Sequence, residues 1–522
     1  MQDLDLHYTF EIGLILIMLA AGVTAIAKKF KKPYPIALVI VGALIGLFNI
    51  PVLEPLKLFI TKGEIFNFVV ITLFLPALLG EAAFKLSFSH LKKNKRPIIT
   101  LAFGATLISY IVTGFLCLWL LNFSIPAAFV FAALMSATDP VSVLSMFKSL
   151  GVNKKLAIVV EGESLFNDGL AVVFFKISAF SLLTYIGLGI QGAGLGVWEF
   201  IKVISLGVIV GGALGYGFSI LTKYFDDYPL EIIFSLILFY SAFLLGESVH
   251  ASGVIAVVTA ALVLGNYGAK IGMSPTTKLN INNFWEVTAL LANSLVFLMV
   301  GLEITRINVA EKWTLIFLAN VIVLVSRSLA VYISLLFTKN FPTSWKHIIN
   351  WGGLKGSLSI ALALSLPRDF AGREDILIVA FSVVLFSLLV QGLSIKPLLS
   401  LLGVNRKTES YKEYEELIAR SHRLESAIEE VHKVKKNLFI SEPVSQELIG
   451  QYQRELAELQ DAMLLLYEKH PNLKAQQQII LKKHSLYAQH DAIETLAKEE
   501  IISNETADKE QELITNQLVK LE

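Results

Sequence analysis

The sequence predicts an all-α, polytopic membrane protein that ends in a charged helical tail. Three observations carry the prediction. Hydrophobic residues make up 55% of the 522 positions and the mean hydropathy is +0.65, well beyond a soluble globular composition. Apolar segments recur from residue 9 to residue 402, most of them near the ~20 residues that cross a ~30 Å hydrocarbon core. Past Gly403 the character inverts: from Thr408 onward there are 14 Lys and Arg against 22 Asp and Glu, a net charge of −8, where the preceding part carries +9.

In chain order about 13 segments qualify, at 9–27, 35–49, 65–84, 98–121, 125–147, 156–183, 197–222, 230–246, 250–267, 284–304, 313–338, 347–366 and 375–402. The first has an acidic leader (Asp3, Asp5, Glu11) and its lysines follow the apolar stretch. That is the reverse of a secretory signal, so it reads as a retained span. The fourth holds the only cysteine, Cys117, which excludes an intramolecular disulfide and suits apolar packing. The fifth contains Pro140 and the twelfth contains Gly352, Gly353 and Gly356, so both read as interrupted helices. The seventh carries Gly207, Gly211 and Gly215 at the spacing of a close helix contact, in the fold's own packing or at a subunit interface.

Loop cations set the orientation. With the N-terminus outside, the inward ends and loops hold 20 Lys and Arg, among them Lys28, Lys29, Lys31, Lys32, Lys85, Lys92, Lys93, Lys95, Arg96, Lys339, Arg406 and Lys407. The outward set is 7: Lys57, Lys62, Lys202, Arg306, Lys312, Arg368 and Arg373. The expectation is a multi-pass protein of the cell's inner (plasma) membrane with a cytosolic C-terminus. Residues 1–404 form the membrane domain and 405–522 a cytosolic helical tail. In the tail, Leu417, Leu424, Ile428, Val431 and Val434 recur at helical spacing, and Pro443 and Pro471 divide it into three or four helices. It has no nucleotide loop, metal motif or sign of a nucleic-acid partner. Its five histidines (422, 432, 470, 484, 490) read as residues of a solvated surface, with pH sensing as the second reading.

The chemistry lies in the membrane. Asp168 sits about twelve residues, or ~18 Å, from the inner end of segment six, and Thr138 and Asp139 lie as deep from the outer end of segment five. Ionisable groups at that depth mark ion or proton pathways. On segment six Ser164 and Asp168 are four residues apart, as are Glu163 and Asn167, so hydroxyl, amide and carboxylates share neighbouring faces. Pro140 disfavours helix at Asp139, which frees carbonyls beside the Thr138 hydroxyl. Carboxylate, hydroxyl and carbonyl oxygens suit a hard cation such as Na⁺. Asp139 has two readings, a cation ligand or a carboxylate that stabilises the broken helix's own N–H groups. Arg327 needs a buried carboxylate, and Glu163 is preferred because it leaves Asp168 able to titrate. Lys355, among its glycines, suits the carbonyl end of a broken helix. Interrupted helices five and twelve stand at matching places of two six-segment repeats, the sequence pointer to a transporter's binding site.

At Thr138-Asp139-Pro140 and Gly162-Glu163-Ser164-Leu165-Phe166-Asn167-Asp168 the chain resembles the monovalent cation:proton antiporter-1 family, the prokaryotic sodium/proton antiporters related to eukaryotic sodium/proton exchangers. Glu81, Arg327 and the Gly352–Gly356 run add to the resemblance, which extends to about residue 404. It implies a homodimer in membrane lipid whose core domain carries two crossed, broken helices. It implies Na⁺(Li⁺)/H⁺ antiport by alternating access, serving pH homeostasis, with no cofactor and with Na⁺ and H⁺ sharing Asp168. Thr138 and Ser164 would join Asp168 around Na⁺, with Glu81 nearby, directly or through water. Asn167, where electrogenic relatives carry an aspartate, implies electroneutral one-for-one exchange. Glu163 and Arg327 would form a structural ion pair. Lys355 replaces an arginine frequent in eukaryotic members, keeping the charge without the guanidinium fork. K⁺/H⁺ exchange on the same fold is the alternative, since motif spelling does not fix the cavity size that selects the ion. An intramembrane aspartyl protease using Asp139 and Asp168 leaves Arg327, Lys355 and the paired breaks unexplained. A passive channel would not need a titratable site.

Overall fold

The computed structural model describes residues 6–30, 33–47, 68–225, 227–304, 312–336, 338, 341–404, 409–438, 441–499 and parts of 501–517. Among these the chain is helical, without strands, and divides into two compact units, Met1–Arg406 and Lys407–Glu522. Of the cations counted for orientation, Lys31, Lys32, Lys57, Lys62, Arg306, Lys339, Arg406 and Lys407 lie outside the described residues.

In the first unit, ten helices are long and apolar enough to cross a membrane. They are α1 (Leu6–Lys29), α3 (Phe68–Lys85), α4 (Lys95–Leu120), α6 (Lys154–Gly187), α7 (Gly189–Tyr224), α8 (Tyr228–Ser248), α9 (Gly253–Ile271), α10 (Pro275–Ile304), α11 (Trp313–Leu336) and α13 (Arg373–Leu401). The remaining apolar segments are α2 (Tyr34–Leu47) and the two interrupted helices. Helix α5 consists of Ile125–Leu134 and Val141–Leu150, and α12 of Thr343–Trp351 and Ser357–Leu364. Pro140 and the glycines after Trp351 mark the breaks, as the sequence predicts.

The outer surface is apolar where a soluble protein would be charged: Trp119 is 85% exposed, Ile190 94% and Met18 72%. Such a continuous apolar belt is stable only against lipid. Inside, Phe131, Phe147, Phe239, Trp285 and Phe297 are fully buried, and Cys117 packs as a small apolar side chain.

Close helix contacts rest on glycine. A Cβ on Gly42 of α2 would stand 2.3 Å from the Leu298 carbonyl of α10, and one on Gly301 would stand 2.3 Å from the Val39 carbonyl. The α7 stripe is used in the same way. Gly207, Gly211 and Gly215 lie against the Ser252, Ala256 and Ala260 carbonyls that lead into and run along α9. The stripe therefore packs within one chain, the first of the two readings the sequence offered.

The second unit, taken alone, pairs α14 (Glu409–Leu438) with α15 (Glu442–Lys469) around Tyr414, Leu466, Leu417, Ile418, Met463 and Tyr467. Pro443 and Pro471 each stand in the first turn of a helix, where the missing N–H costs nothing. The second of these, α16 (Pro471–Lys498), ties back through Gln477 Nε2, which donates to the Tyr414 hydroxyl at 2.6 Å. His422 sits on the surface, 3.3 Å from Glu425.

Gly211 gives a direct test of the packing. A Cβ there would lie 2.2 Å from the Ala256 carbonyl, whereas nothing stands within 4 Å of one on neighbouring Gly212. Gly211→Val should cost at least ~1–3 kcal/mol by forcing α7 off α9. Gly212→Ala should leave the melting temperature of the purified protein unchanged.

Candidate functional site

Breaking a helix inside a membrane strands peptide groups that no water can satisfy. Here the two breaks satisfy one another. The Asp139 N–H donates to the Leu354 carbonyl at 2.8 Å, joining the unwound strand of α5 to that of α12. The Lys355 ammonium donates to the carbonyls of Met135 and, at 3.2 Å, Ala137, where the first half of α5 ends. Ser359 Oγ donates to the Leu134 carbonyl at 2.7 Å. Ser136 turns back to the Ala132 carbonyl at 2.8 Å. The strands approach so closely that a Cβ on Gly356 would lie 2.4 Å from Asp139 Cβ, so only glycine fits.

Helix α13 supports the crossing from behind. A wide turn at Ser387–Gln391 faces the α12 break, where Ser387 Oγ accepts from the Lys355 N–H at 2.8 Å and Gln391 Nε2 donates to the Trp351 carbonyl at 3.3 Å. Wide turns of this kind often mark functional positions in helices.

Helix α6 runs unbroken past the crossing and sets its polar face on Thr138. Ser164 Oγ donates to the Thr138 carbonyl, and Asn167 Nδ2 donates to Thr138 Oγ1 at 2.7 Å. One turn beyond Ser164, Asp168 comes within electrostatic range of Asp139 and Lys355. Its Oδ1 is buried without a hydrogen-bond partner among the described residues, as is Asn167 Oδ1. A buried oxygen left so is costly unless something fills the place. The Thr138 and Ser164 hydroxyls each retain acceptor lone pairs after the bonds they make.

Glu163 and Arg327 meet across α6 and α11, with Oε1 2.6 Å from Nη2 and side chains only 3% and 7% exposed. Oε1 makes no hydrogen bond among the described residues, so the pair rests on charge. Proximity at this burial is what matters for the charges. Arg327 Nη2 also donates to the Ile349 carbonyl at 3.2 Å, and Gly353 lies so near the guanidinium that a Cβ would stand 2.7 Å from Nε.

The structure thus gathers Thr138, Asp139, Ser164, Asn167, Asp168 and Lys355 at the crossing, with Glu163 and Arg327 paired beside it. Asp139 Oδ1 accepts from the Val141 N–H at 2.9 Å, capping the second half of α5, so that oxygen serves the broken helix. The carbonyls of Leu134, Met135, Ala137 and Thr138 each accept a bond from Ser359, Lys355 or Ser164 and keep a second lone pair. Among the described residues Glu81 makes no hydrogen bond to the Thr138 group; it meets Lys85 at 2.7 Å. Sequence reasoning missed Ser359, Ser387 and Gln391, whose partners lie 225, 32 and 40 residues away. It also missed Lys85 as a partner of Glu81, although their four-residue spacing on one helix was visible.

Crossed, broken helices that enclose a buried carboxylate define a polytopic secondary-transporter fold. Residues 14–401 match the transmembrane sodium/hydrogen exchanger family model. The chain is 71% identical over 522 residues to the Na⁺/H⁺ antiporter NhaG of Bacillus atrophaeus, covering 100% of this chain and 99% of that one. It is 52% identical over 398 residues to NhaH of Halobacillus dabanensis, 76% of this chain and 99% of the relative. The fold matches the sodium proton antiporter MjNhaP1 of Methanocaldococcus jannaschii at a TM-score of 0.61 and 23% identity, over 76% of this chain and 99% of the other. The protein belongs to the sodium/hydrogen exchanger family.

The ion pair makes a sharp prediction. Glu163→Gln or Arg327→Met alone should lower stability by about 3–5 kcal/mol, because each leaves one buried charge uncompensated. The double substitution should lose far less than the sum. Thermal unfolding of the detergent-solubilised variants checks it.

Proposed function

We propose that the protein is a Na⁺(Li⁺)/H⁺ antiporter in which the two ions compete for Asp168. The observation that carries this reading is the buried Oδ1 of Asp168, without a hydrogen-bond partner among the described residues, one turn from Ser164 on the helix that meets Thr138. A carboxylate at this depth needs a positive partner, and either a proton or a hard cation serves. Occupancy by one excludes the other. Thr138 Oγ1, Ser164 Oγ and Asn167 Oδ1 are neutral side-chain oxygens of the same crossing. The names of the relatives, NhaG and NhaH among them, support antiport in particular.

Charge accounting supports one-for-one exchange. Glu163 is compensated by Arg327, Asp139 caps its own helix within the same crossing as the Lys355 ammonium, and Asn167 adds no charge. Asp168 alone is then left to carry either ion, so each half-cycle moves the same net charge. Rigid-body movement of the crossed helices against the glycine-packed helices would expose the site to each side in turn. The reading includes a homodimer in a cell's inner membrane, with the N-terminus outside and the tail cytosolic.

The tail is proposed as a regulatory module separable from transport. The 398 residues shared with NhaH make up 99% of that relative, which leaves no room in it for a module of this size. The compact unit Lys407–Glu522 has its own small core.

Everted vesicles from an antiporter-deficient bacterial host, with an acridine dye reporting the proton gradient, test the function. Added NaCl or LiCl should dequench the dye, and Asp168→Asn should abolish the response without loss of membrane insertion. Thr138→Ala should raise the Na⁺ concentration for half-response by roughly fivefold, the worth of about one hydrogen bond. A response mainly to KCl would assign K⁺/H⁺ exchange, and an Asp168→Asn variant that still responds would refute the site. Truncation after Arg406 should retain exchange; its complete loss in well-inserted protein would contradict a separable tail.

A further inference from the structure

Glu81 and Lys85 lie one turn apart near the end of α3, with Lys85 Nζ 2.7 Å from Glu81 Oε1. The same ammonium stands 3.0 Å from Glu286 Oε2 on α10. Exposure falls along this chain of groups, from 67% at Glu286 to 30% at Lys85 and 20% at Glu81. Glu161 on α6 lies within electrostatic range of both Glu81 and Lys85 and makes no ion pair among the described residues. Glu161, Ser164 and Asp168 recur at spacings of three and four, so they share one face of α6 over two turns, ~10 Å. Carboxylates therefore lead from the water-exposed Glu286 to the buried Asp168, and one tethered cation, Lys85, stands among them.

We propose that Lys85 is a positioning residue that sets the apparent cation affinity: its ammonium occupies the Glu81 carboxylate, and an entering cation must displace it. The inference rests on the antiport reading and names a determinant of that site's approach. Ammonium and Na⁺ carry the same charge, so one can replace the other on Glu81 without leaving the carboxylate bare in a partly dehydrated setting. Glu286 provides the displaced ammonium with a second, more exposed carboxylate to move toward. A pair that merely supports the helix, as i,i+4 charges commonly do, would leave ion affinity unchanged.

The test is the Na⁺ dependence of exchange by the full-length protein in everted vesicles, read as half-saturating concentration separately from maximal rate. Lys85→Met should lower the half-saturating concentration by about fivefold, the upper scale of a partly exposed ion pair, and Lys85→Arg should stay near wild type. Glu286→Gln should raise it, because the ammonium then belongs to Glu81 alone. In a Glu81→Gln background, Lys85→Met should produce no further fall. An unchanged or raised value in Lys85→Met overturns the proposal. Should that variant fail to fold, a Glu286→Gln value at or below wild type overturns it as well. Wild-type protein without any Na⁺-dependent flux would refute antiport itself; wild-type flux with an unmoved Lys85→Met refutes only the role of Lys85.

Discussion

The centre of this molecule depends on two unwound strands that satisfy each other's exposed peptide groups. A membrane interior offers no water to a broken helix, so each lost helical bond must be replaced by protein. The Asp139 N–H reaches Leu354, Lys355 reaches back to Met135 and Ala137, and Ser359 takes Leu134. Once these bonds are made, the positions of Thr138, Ser164, Asn167 and Asp168 follow, because α6 lays its polar face on the strand thus fixed.

Much of this was legible in the amino-acid order. Apolar length located the helices, and Pro140 with Gly352, Gly353 and Gly356 located the breaks. Those signals are local, since a missing N–H or a missing Cβ acts on its own residue. The Glu163–Arg327 pair was legible for a different reason: a buried guanidinium needs a carboxylate, and few carboxylates lie at that depth. What stayed hidden depends on contacts between distant segments. Nothing near Ser359 announces a bond to Leu134. The spacing of the α7 glycines announces a close helix contact without naming the partner, and the approach of the α9 carbonyls supplies it. Asp139 permitted two readings because a cap and a ligand call for the same carboxylate, and the 2.9 Å bond to Val141 separates them for one oxygen.

Charge is distributed with a clear division of labour. Deep in the fold, Glu163 and Arg327 face each other at 2.6 Å and compensate each other's charge. Toward the end of α3, Glu81, Lys85 and Glu286 share an ammonium among partly exposed groups, where partners can exchange at lower cost. Between these regimes stands Asp168, without a hydrogen-bond partner for Oδ1 among the described residues. The acidic tail, with its separate small core, adds a further charged surface that the family match to residues 14–401 does not include.

The central claim is that one carboxylate holds either a proton or a cation and never both. Its most direct test is the proton count on cation binding to purified protein in weakly buffered detergent solution. Addition of saturating Na⁺, at a pH where the empty site is protonated, should release one proton for each Na⁺ bound. Na⁺ binding of the same stoichiometry with no proton released would contradict the account.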